Sequence, residues 1–573
     1  MSKIIVLNAN SKNPVDINQA AANSNQIYII LQPKNRDKFK DIPLFQTFES
    51  KANEIFQSNA KTLKKQFNLQ MDDISKGLDI KWQATRTSES NVLVNDFYRN
   101  IVLCQTVEDL IVDGTNNLLI TDSNELIYVY TNNRLKKYLI MTTVNMGQMY
   151  RMFKNILKFV LHYVNYKVIS LTLPKINSDI LIHTFPEFKK GEKYQEIYFP
   201  GVKEFYEENQ KTVSFVLSNT GLNPRKLYKY MNSHGYSVFN EYQYYSVCDF
   251  FRTVFFYIKL SYVKNDNFVV RKGNFAGCFN ISHKKYGLDF DVLLTLLRYG
   301  LFIAIERKNY KPKLLLLEFE GMIIEKMLIA GLRESQINTK VFGYQHMAVF
   351  ENMICNFFTP FQLSSNLLPD KIICSGEIYR NLYAENGIPD EKLQLGPALR
   401  YNFMHKITTT KNAPASSILV LLPFNVEDCI FLVNIIGQNL NQATNYIRFK
   451  PHVKSNKRDM LSIVTNSKLQ LDYRPIQKSL ADFSIVISMN SGALLDAALS
   501  GKYVIKFKKP FFIDLDPLFA NKDLRMEVNS DLELKAAINK IRDNPELSTR
   551  DFKELKSKYF NHVTSKSMEV FLP

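Results

Sequence analysis

Short apolar runs that alternate with longer segments of helical periodicity constrain the fold of this chain more than any other feature. The alternation is clearest from about residue 313 onward. The predicted strands there are 313–319, 340–344, 371–374, 418–422, 446–450, 484–488 and 503–506, and the predicted helices are 428–440, 492–499 and 532–542. This pattern is typical of parallel sheets that are covered by helices.

The first half of the chain shows the same alternation less regularly. Strands are predicted at 4–7, 27–31 and 78–82, and helices at 16–23, 49–67, 92–111 and the aromatic-rich segment 236–262. Residues 149–164 form an amphipathic stripe, with Arg151, Lys154 and Lys158 on the opposite side. Such a stripe either packs on a protein core or lies on a membrane surface, and we expect packing on a core.

The length of 573 residues favours two or three domains over one. Segment 406–417, with its Thr, Ser, Ala, Asn and Pro residues, has the composition of a linker. We therefore predict an N-terminal Rossmann-like domain with insertions over 1–405 and a second domain over 411–545. A C-terminal helix in 546–573 is predicted to pack back on the first domain. Residues 140–310 show no pattern that indicates a role.

The chain is strongly basic, with 73 Lys and Arg against 55 Asp and Glu, which gives a formal net charge of +18. This surplus suits nucleic acid, an anionic membrane surface or phosphorylated small molecules, and it also fits a plain solvated surface. The six cysteines are scattered, without a Cys-x-x-Cys pair or a Cys/His cluster. Structural zinc and a disulfide framework are therefore not expected.

The N-terminus runs into a strand-like segment without a signal-peptide pattern, and no uncharged apolar stretch is long enough for a transmembrane helix. We therefore expect a cytoplasmic protein, with peripheral contact at the inner face of an anionic membrane as a further expectation. Nucleic acid is not an expected partner, because no helix-turn-helix, RNA-binding or zinc motif is visible.

Polar side chains follow a predicted strand at 446–450, and open parallel sheets bind ligands at the carboxyl ends of their strands. Pro451 ends the strand pairing, so Lys450 and His452 project from the strand end. A cation and an imidazole at that position suit a nucleotide phosphate. An ordinary surface loop with basic residues is the alternative.

A second polar strand end follows at 484–488. Ser488, Asn490 and Ser491 lead directly into the predicted helix 492–499. The first N–H groups of a helix have no partner within the helix, so this junction offers an anion site. The alternative is that Ser491 only caps the helix, as serine commonly does.

Two further strand ends carry candidate acid–base groups. His346 follows the predicted strand 340–344, and a lone histidine there is either a general base or a structural residue. Glu318 and Glu320 close a Leu-rich strand, where alternation places both on one face. Glu325 follows in the next helix. A carboxylate there can deprotonate a hydroxyl, or it can simply stabilise the helix dipole.

Several segments resemble a family of bacterial surface-carbohydrate biosynthesis proteins, which build capsules and lipopolysaccharides. The similar segments are 318–326, 343–346, 368–376, 387–393 and 398–401, with a weaker match at 82–90 and 97–99. Elements 450–452 and 488–491 are also similar to the His-Pro and Ser-Ser motifs of CMP- and CDP-dependent GT-B transferases. That group includes bacterial sialyltransferases, polysialyltransferases, Kdo transferases and teichoic-acid glycerophosphotransferases. In this chain Pro451 precedes His452, and Asn490 stands where one serine is usual.

The resemblance implies an α/β chain whose two Rossmann-like domains face each other across a cleft, as in GT-B proteins. It also implies roles for particular side chains. Those implied to hold the donor phosphates are His452, Ser488, Asn490 and Ser491, with Lys450 assisting. Those implied for acid–base chemistry are Glu320 and His346, with Glu318, Glu325 and Arg400 as further site candidates.

The implied activity is inverting, metal-independent glycosyl transfer. An acidic sugar of the Kdo, sialic or nonulosonic type would move from a CMP donor to a surface polysaccharide or glycolipid acceptor. The nucleotide sugar is a substrate, so no cofactor is expected. The alternatives are a CDP-dependent polyol-phosphate transferase or a UDP- or GDP-sugar transferase of the same fold, and a non-catalytic basic protein that binds nucleic acid or membrane.

Overall fold

A computed structural model describes most of the chain. It covers residues 3–8, 26–30, 44–111, 116–131, 134–173, 175, 177–186, 194–218, 224–407, 414, 417–439, 446–452, 455, 460, 463, 470–543 and 552–573. Within these residues the strands form three parallel sheets and one short antiparallel hairpin. The predicted helix 16–23 and most of the predicted linker lie outside the described residues.

Sheet 1 is a small three-stranded sheet at the N-terminus. Its strands are β1 (Lys3–Asn8), β2 (Gln26–Ile30) and β3 (Asn116–Thr121), in the order β1-β3-β2. The predicted strands at 4–7 and 27–31 are confirmed. Since β3 lies between the two strands that precede it, the helices of residues 44–110 form the long crossover to the sheet centre.

The strand predicted at 78–82 is wrong, because these residues lead into a 3₁₀ helix, Ile80–Ala84. The Asp79 carboxylate accepts a hydrogen bond from the Lys81 backbone N–H at 2.9 Å and caps this turn. Trp82, the only tryptophan of the chain, is fully buried against Phe279 and His283. The apolar run was therefore a buried helical turn, which periodicity alone does not distinguish from a strand.

Sheet 2 has six strands. They are β4 (Ile180–Thr184), β5 (Val213–Leu217), β8 (Leu314–Glu318), β9 (Lys340–Gln345), β10 (Lys371–Cys374) and β11 (Leu393–Leu395), in the order β11-β10-β9-β8-β4-β5. The hairpin β6 (Val269–Val270) and β7 (Gly273–Asn274) lies in the segment between β5 and β8. Strand β8 is buried throughout, as expected for a parallel sheet with helices on both faces.

Sheet 3 has five strands. They are β12 (Ser417–Leu421), β13 (Tyr446–Lys450), β14 (Ile485–Ser488), β15 (Tyr503–Phe507) and β16 (Met526–Val528), in the order β13-β12-β14-β15-β16. Alternate residues of its strands serve different cores: Leu419 and Val486 join the large core that includes sheet 2, whereas Ile418 and Ile485 join a separate core on the other face. The predicted α/β fold with two helix-covered parallel sheets is thus confirmed.

Helices connect the strands and cover the sheets. The α-helices are Leu44–Thr62, Lys64–Lys76, Arg86–Glu89, Phe97–Leu110, Asn124–Tyr130, Arg134–Ser170, Val202–Glu208, Pro224–Ser233, Val247–Ser261, Ala276–Tyr286, Phe290–Tyr299, Leu301–Glu306, Ile323–Glu334, Pro360–Ser364, Glu377–Glu385, Val426–Asn439, Ile476–Asp482, Ala493–Leu499, Asp531–Asp543, Lys553–Tyr559 and Ser565–Met568. No helix among the described residues is both long and apolar enough to cross a bilayer.

The C-terminal segment returns to sheet 2 after sheet 3 is complete. The Asn561 N–H donates to the Ser375 carbonyl at 2.7 Å, and Asn561 in turn accepts from the Ala398 N–H at 2.9 Å. Tyr401 and Phe560 stack with their ring centroids 4.2 Å apart. The chain end therefore ties the segment after β11 to the domain of sheet 2.

The helix Arg134–Ser170, called the long helix below, does not place the whole 149–164 stripe on a core. Met152 and Ile156 pack against the core, but Met149, Phe153 and Leu161 are each about two-thirds exposed. The expectation of core packing is therefore wrong for this half of the stripe. The apolar arc is wider than the part of the helix that contacts its neighbours, so one side of the arc packs and the other faces outward.

Candidate active site

Sheets 2 and 3 have the same strand order, and this order defines where a ligand can bind. Numbered along the chain within each sheet, the order begins 2-1-3-4-5 in both. The connections change direction between β4 and β8 in sheet 2, and between β12 and β14 in sheet 3. Doubly wound sheets bind ligands at the carboxyl ends of the strands at such a switch point.

His346 directly follows β9, beside the switch point of sheet 2, and two charged side chains hold it. Arg400 Nη1 lies 2.9 Å from His346 Nδ1, and the Glu320 Oε1 atom lies 2.5 Å from His346 Nε2. A guanidinium has only donors, so Nδ1 must accept and the neutral ring carries its proton on Nε2. That proton faces the Glu320 carboxylate, although the approach is not aligned as a hydrogen bond. The structure thus brings together Glu320, His346 and Arg400.

Tyr198 packs against both His346 and Arg400. Its ring meets the His346 ring edge to face with centroids 4.8 Å apart, and the Arg400 guanidinium lies 5.4 Å from the Tyr198 centroid. His346 is 2% exposed, whereas the Glu320 side chain is 15% exposed. Glu320 is therefore the member of the pair that a ligand can reach, and His346 fixes its orientation.

Glu318 does not share a face with Glu320, contrary to the sequence prediction. The strand ends at Glu318, so alternation does not extend to Glu320. The Glu318 Oε2 atom lies 2.7 Å from Nδ1 of His183 on β4, whereas Glu320 lies beside His346 after β9. The two carboxylates thus turn toward opposite neighbours of β8.

The contact of Glu318 belongs to a buried polar network. His183 Nε2 lies 2.7 Å from Ser218 Oγ, which accepts from Arg298 Nη1 at 2.7 Å, and Arg298 Nε lies 3.1 Å from both Glu241 oxygens. Burial raises the pKa of Glu318 to about 8, while burial and then the charge of Arg298 lower the pKa of His183 to about 3. At neutral pH the pair is therefore a neutral acid beside a neutral imidazole. The network fixes the ends of β4, β5 and β8.

Glu325 lies under the loop that carries Glu320. Its carboxylate accepts the Glu320 N–H at 3.1 Å and the Gly321 N–H at 2.8 Å. Gly321 has φ +73°, and a Cβ there would lie 1.7 Å from the Cys355 carbonyl oxygen. Burial raises the pKa of Glu325 well above its usual range. Glu325 is thus buried and shapes the loop instead of facing a ligand.

The three candidate residues at the end of β14 differ in their burial and in their hydrogen-bond partners. Ser488 is fully buried and its hydroxyl donates to the Leu421 carbonyl at 2.9 Å, so the expectation that it holds a phosphate is corrected. Asn490 Nδ2 donates to the Ile513 carbonyl at 3.3 Å. Ser491 Oγ accepts from the Ala493 N–H at 3.3 Å, in a cap-like contact at the start of the next helix. Asn490 and Ser491 are half-buried at the switch point of sheet 3.

Lys450 and His452 lie at the end of β13, on the far side of β12 from β14. Lys450 Nζ donates to the Arg474 carbonyl, and the His452 ring meets Phe424 edge to face at 5.6 Å. Neighbouring strands are about 4.8 Å apart, so the ends of β13 and β14 are separated by about 10 Å. One phosphate therefore does not contact both strand ends directly.

The switch points of the two sheets lie next to each other, and the region between them is called the crevice below. A methyl group placed on Gly492, after β14, would lie 3.8 Å from Ala348 Cβ, which follows His346. Burial raises the pKa of Tyr401 to about 12, and the charges of both Asp496 and Glu320 act on this ring. The crevice is thus bordered by the His346 group on one side and the 489–492 loop on the other.

Asp496, which the sequence analysis did not single out, lies at this border. It sits on the helix Ala493–Leu499, and burial raises its pKa to about 7 against the opposing charge of Arg400. Its Oδ1 atom has no hydrogen-bond partner among the described residues. A carboxyl group within a Leu- and Ala-rich helix carries no sequence pattern that marks it as part of a site.

Asp496 gives the stability of the protein a testable pH dependence. The folded state keeps this proton up to about pH 7, whereas an ordinary Asp loses it near 3.8, so stability falls as pH rises between those values. We expect Asp496→Asn to remove roughly 2–3 kcal/mol of the loss between pH 5 and pH 8. Urea unfolding at the two pH values measures it. Asp482→Asn, whose carboxylate is half exposed, should keep the full loss between the two pH values. If Asp482→Asn reduced the loss as much as Asp496→Asn does, the assignment would be contradicted.

Comparisons with known proteins give a partial likeness. No protein-family model and no curated protein matches the chain. The UDP-GlcNAc 2-epimerase from Neisseria meningitidis, solved with UDP-GlcNAc, is similar at 12% identity with a TM-score of 0.38, covering 69% of this chain and 98% of the other. The Methanocaldococcus jannaschii UDP-GlcNAc 2-epimerase, solved with UDP-GlcNAc and UDP, is similar at 13% identity with a TM-score of 0.38, covering 69% of this chain and 97% of the other. The glycotransferase of kitacinnamycin is similar at 9% identity with a TM-score of 0.37, covering 69% of this chain and 98% of the other.

Proposed function

We propose that the chain is an inverting glycosyltransferase that uses a nucleotide-activated sugar. The observation that carries the proposal is the Arg400–His346–Glu320 group at the switch point of sheet 2, which lies next to the switch point of sheet 3. A carboxylate that is oriented by an imidazole suits the removal of a proton from an acceptor hydroxyl. The sequence resemblance to GT-B transferases supports the same reading.

The reaction divides between the two sides of the crevice. Glu320 takes the proton of the acceptor hydroxyl, whose oxygen attacks the anomeric carbon of the donor from the opposite side. The bond from that carbon to the phosphate oxygen breaks, and its electron pair leaves with the phosphate. Donor groups near the leaving oxygen stabilise the charge that develops there. On the side of sheet 3 we assign this task to Asn490 and Ser491.

The two strand ends of sheet 3 are proposed to hold different parts of one nucleotide, because about 10 Å separates them. Asn490 and Ser491 hold the phosphate next to the sugar. Lys450 and His452, at the end of β13, hold a more distant part of the nucleotide. Phe424 lies beside His452 and is half exposed, so it offers an aromatic face to a base.

The finer proposal is a CMP-linked acidic sugar as donor. A single phosphate matches a site built on one strand end. Arg400 uses one N–H on His346, and a guanidinium has five such donors, so others are suited to a sugar carboxylate. The acceptor is proposed to be a surface polysaccharide or glycolipid, following the sequence resemblance.

Nucleotide titration tests the donor. We expect CMP to bind the purified protein, and His452→Ala to weaken that binding about two- to tenfold, since a hydrogen bond to an uncharged part of the nucleotide contributes about 0.5–1.5 kcal/mol. His234→Ala, a partly buried histidine outside the crevice, is the matched control and is expected to leave binding unchanged. Calorimetric titration with CMP, CDP, UDP and GDP gives the affinities.

The outcomes separate the coarse proposal from the fine one. Binding of UDP or GDP but not CMP removes the CMP donor and keeps the nucleotide-sugar transferase. Binding of CDP with transfer of a polyol phosphate moves the chain to that reaction. Indifference to all four nucleotides contradicts the transferase itself. Product analysis with a panel of nucleotide sugars, with the anomeric configuration read by NMR, then tests inversion.

A further inference from the structure

The long helix exposes an apolar face over most of its length. Leu135, Met146, Met149, Phe153, Leu157 and Leu161 are each more than half exposed. At 100° per residue these positions fall on one side of the helix, next to the side that packs on the protein. A continuous row of exposed apolar side chains along a helix is unusual for a protein surface that contacts only water.

A second helix widens this face. In the companion helix, Val247–Ser261, Val247, Phe251 and Phe255 are each more than 60% exposed and recur every four residues. The two helices meet where Phe159 stacks on Phe250, with ring centroids 5.3 Å apart and planes 4° from parallel. In each helix the exposed apolar side chains lie next to the side chains that make this contact, and they point away from the core. The exposed sides therefore form one surface, two helices wide, which we call the apolar face.

The apolar face has a basic border. Residues 134–170 contain seven Lys and Arg and no Asp or Glu. Lys154 and Lys158 are exposed along one edge of the face, and Arg252 and Lys259 are exposed along the far edge of the companion helix. The only acid of the companion helix, Asp249, accepts from Arg307 Nη2 at 2.6 Å and closes the helix cap. Its charge is therefore engaged by the protein.

We propose that the apolar face docks the protein on an anionic lipid bilayer. An amphipathic helix with an aromatic and aliphatic face and Lys or Arg beside it lies in the membrane interface. The long helix extends about 55 Å, and it would lie along the surface. Negative lipid headgroups complement the basic border. This surface has no role in the proposed transfer reaction, so the inference holds or fails independently of it.

Charge favours lipid over a second copy of the chain as the occupant. Pairing two long helices through this face would bring the basic border of one copy close to that of the other, with no acid on either helix to offset it. Like charges at a helix interface oppose association. An anionic surface reverses the sign of this contribution.

Vesicle binding of the full chain tests the proposal. We expect binding to vesicles that contain phosphatidylglycerol, weaker binding to phosphatidylcholine alone, and loss of binding as salt rises. Phe153→Glu and Phe251→Glu are each expected to weaken binding about tenfold or more, because each replaces an inserted aromatic ring with a charge. Leu532→Glu is the matched control, since Leu532 is 78% exposed on the domain of sheet 3, and it is expected to bind as the unchanged protein does.

Three results would overturn the proposal. They are no binding to either kind of vesicle, equal weakening by Leu532→Glu and Phe153→Glu, and a dimer of the unchanged protein that Phe153→Glu converts to monomer without any vesicle binding. Emission from buried Trp82 confirms that each variant is folded. Nucleotide affinity should be the same in Phe153→Glu and the unchanged protein, which separates this test from that of the transfer reaction.

Discussion

Replacing Glu320 with Gln is expected to lower kcat about 10²- to 10⁴-fold while leaving the affinity for nucleotide unchanged. The amide keeps the shape of the side chain but does not take a proton. The loop keeps its shape in this variant, because the Glu325 carboxylate accepts hydrogen bonds from the backbone N–H groups of residues 320 and 321, which the substitution does not change. The loss should therefore fall on turnover. Steady-state kinetics with the preferred donor and nucleotide titration of the same preparation measure the two effects.

Glu334→Gln is the matched control for this variant, because Glu334 is an exposed carboxylate at the end of the helix that follows the Glu320 loop. It should keep both turnover and affinity. Turnover of Glu320→Gln within tenfold of the unchanged protein would remove Glu320 as the base. A fall in nucleotide affinity equal to the fall in kcat would show that Glu320 contributes to donor binding instead.

Strands β8 and β12 consist largely of unbroken apolar runs, and both were predicted correctly. β8 and β12 are buried along their whole length, since a parallel sheet with helices on both faces removes every side chain from water. β4 and β5 were not predicted, although they are also buried throughout. Each is a short apolar run, and such a run alone does not separate a strand from a buried helix. They place part of 140–310 in sheet 2.

The candidate site was predictable where a polar residue ends a strand. His346 and Glu320 follow β9 and β8, which are neighbours in sheet 2, so their proximity follows from the strand order. Ser488 shows the limit of the rule. It ends β14, but its side chain turns into the sheet and bonds to the backbone of β12. The direction of the last side chain of a strand depends on how the neighbouring elements pack, and the sequence alone does not determine this packing.

The buried network was beyond sequence reasoning for a topological reason. His183 lies within an apolar strand and Arg298 lies near the end of a helix more than a hundred residues later. Only the order β8-β4-β5 brings Glu318, His183 and Ser218 to one edge. Charge patterns along the chain do not report such contacts.

Arg298→Met is expected to destabilise the domain of sheet 2 by about 3–5 kcal/mol, the largest effect on stability that we predict. The Arg298 guanidinium is buried and bonds Glu241, Ser218 Oγ and, at 2.5 Å, the Leu217 carbonyl. Met fills similar volume but supplies no donor, so the variant leaves the Glu241 carboxylate buried without its cation. Trp82 is the only tryptophan and lies in this part of the chain, so its emission during urea unfolding reports on this domain.

Two further variants show whether the effect comes from the buried charge. Lys313→Met removes a cation whose side chain is 63% exposed and 2.7 Å from Asp179, so its cost should stay below about 1 kcal/mol. Adding Glu241→Gln to Arg298→Met should recover part of the loss, because the stranded carboxylate becomes a neutral amide. Equal costs for Arg298→Met and Lys313→Met, or a double variant less stable than Arg298→Met, would show that the network does not depend on charge pairing. The stability of the switch point of sheet 2 would then rest on apolar packing alone.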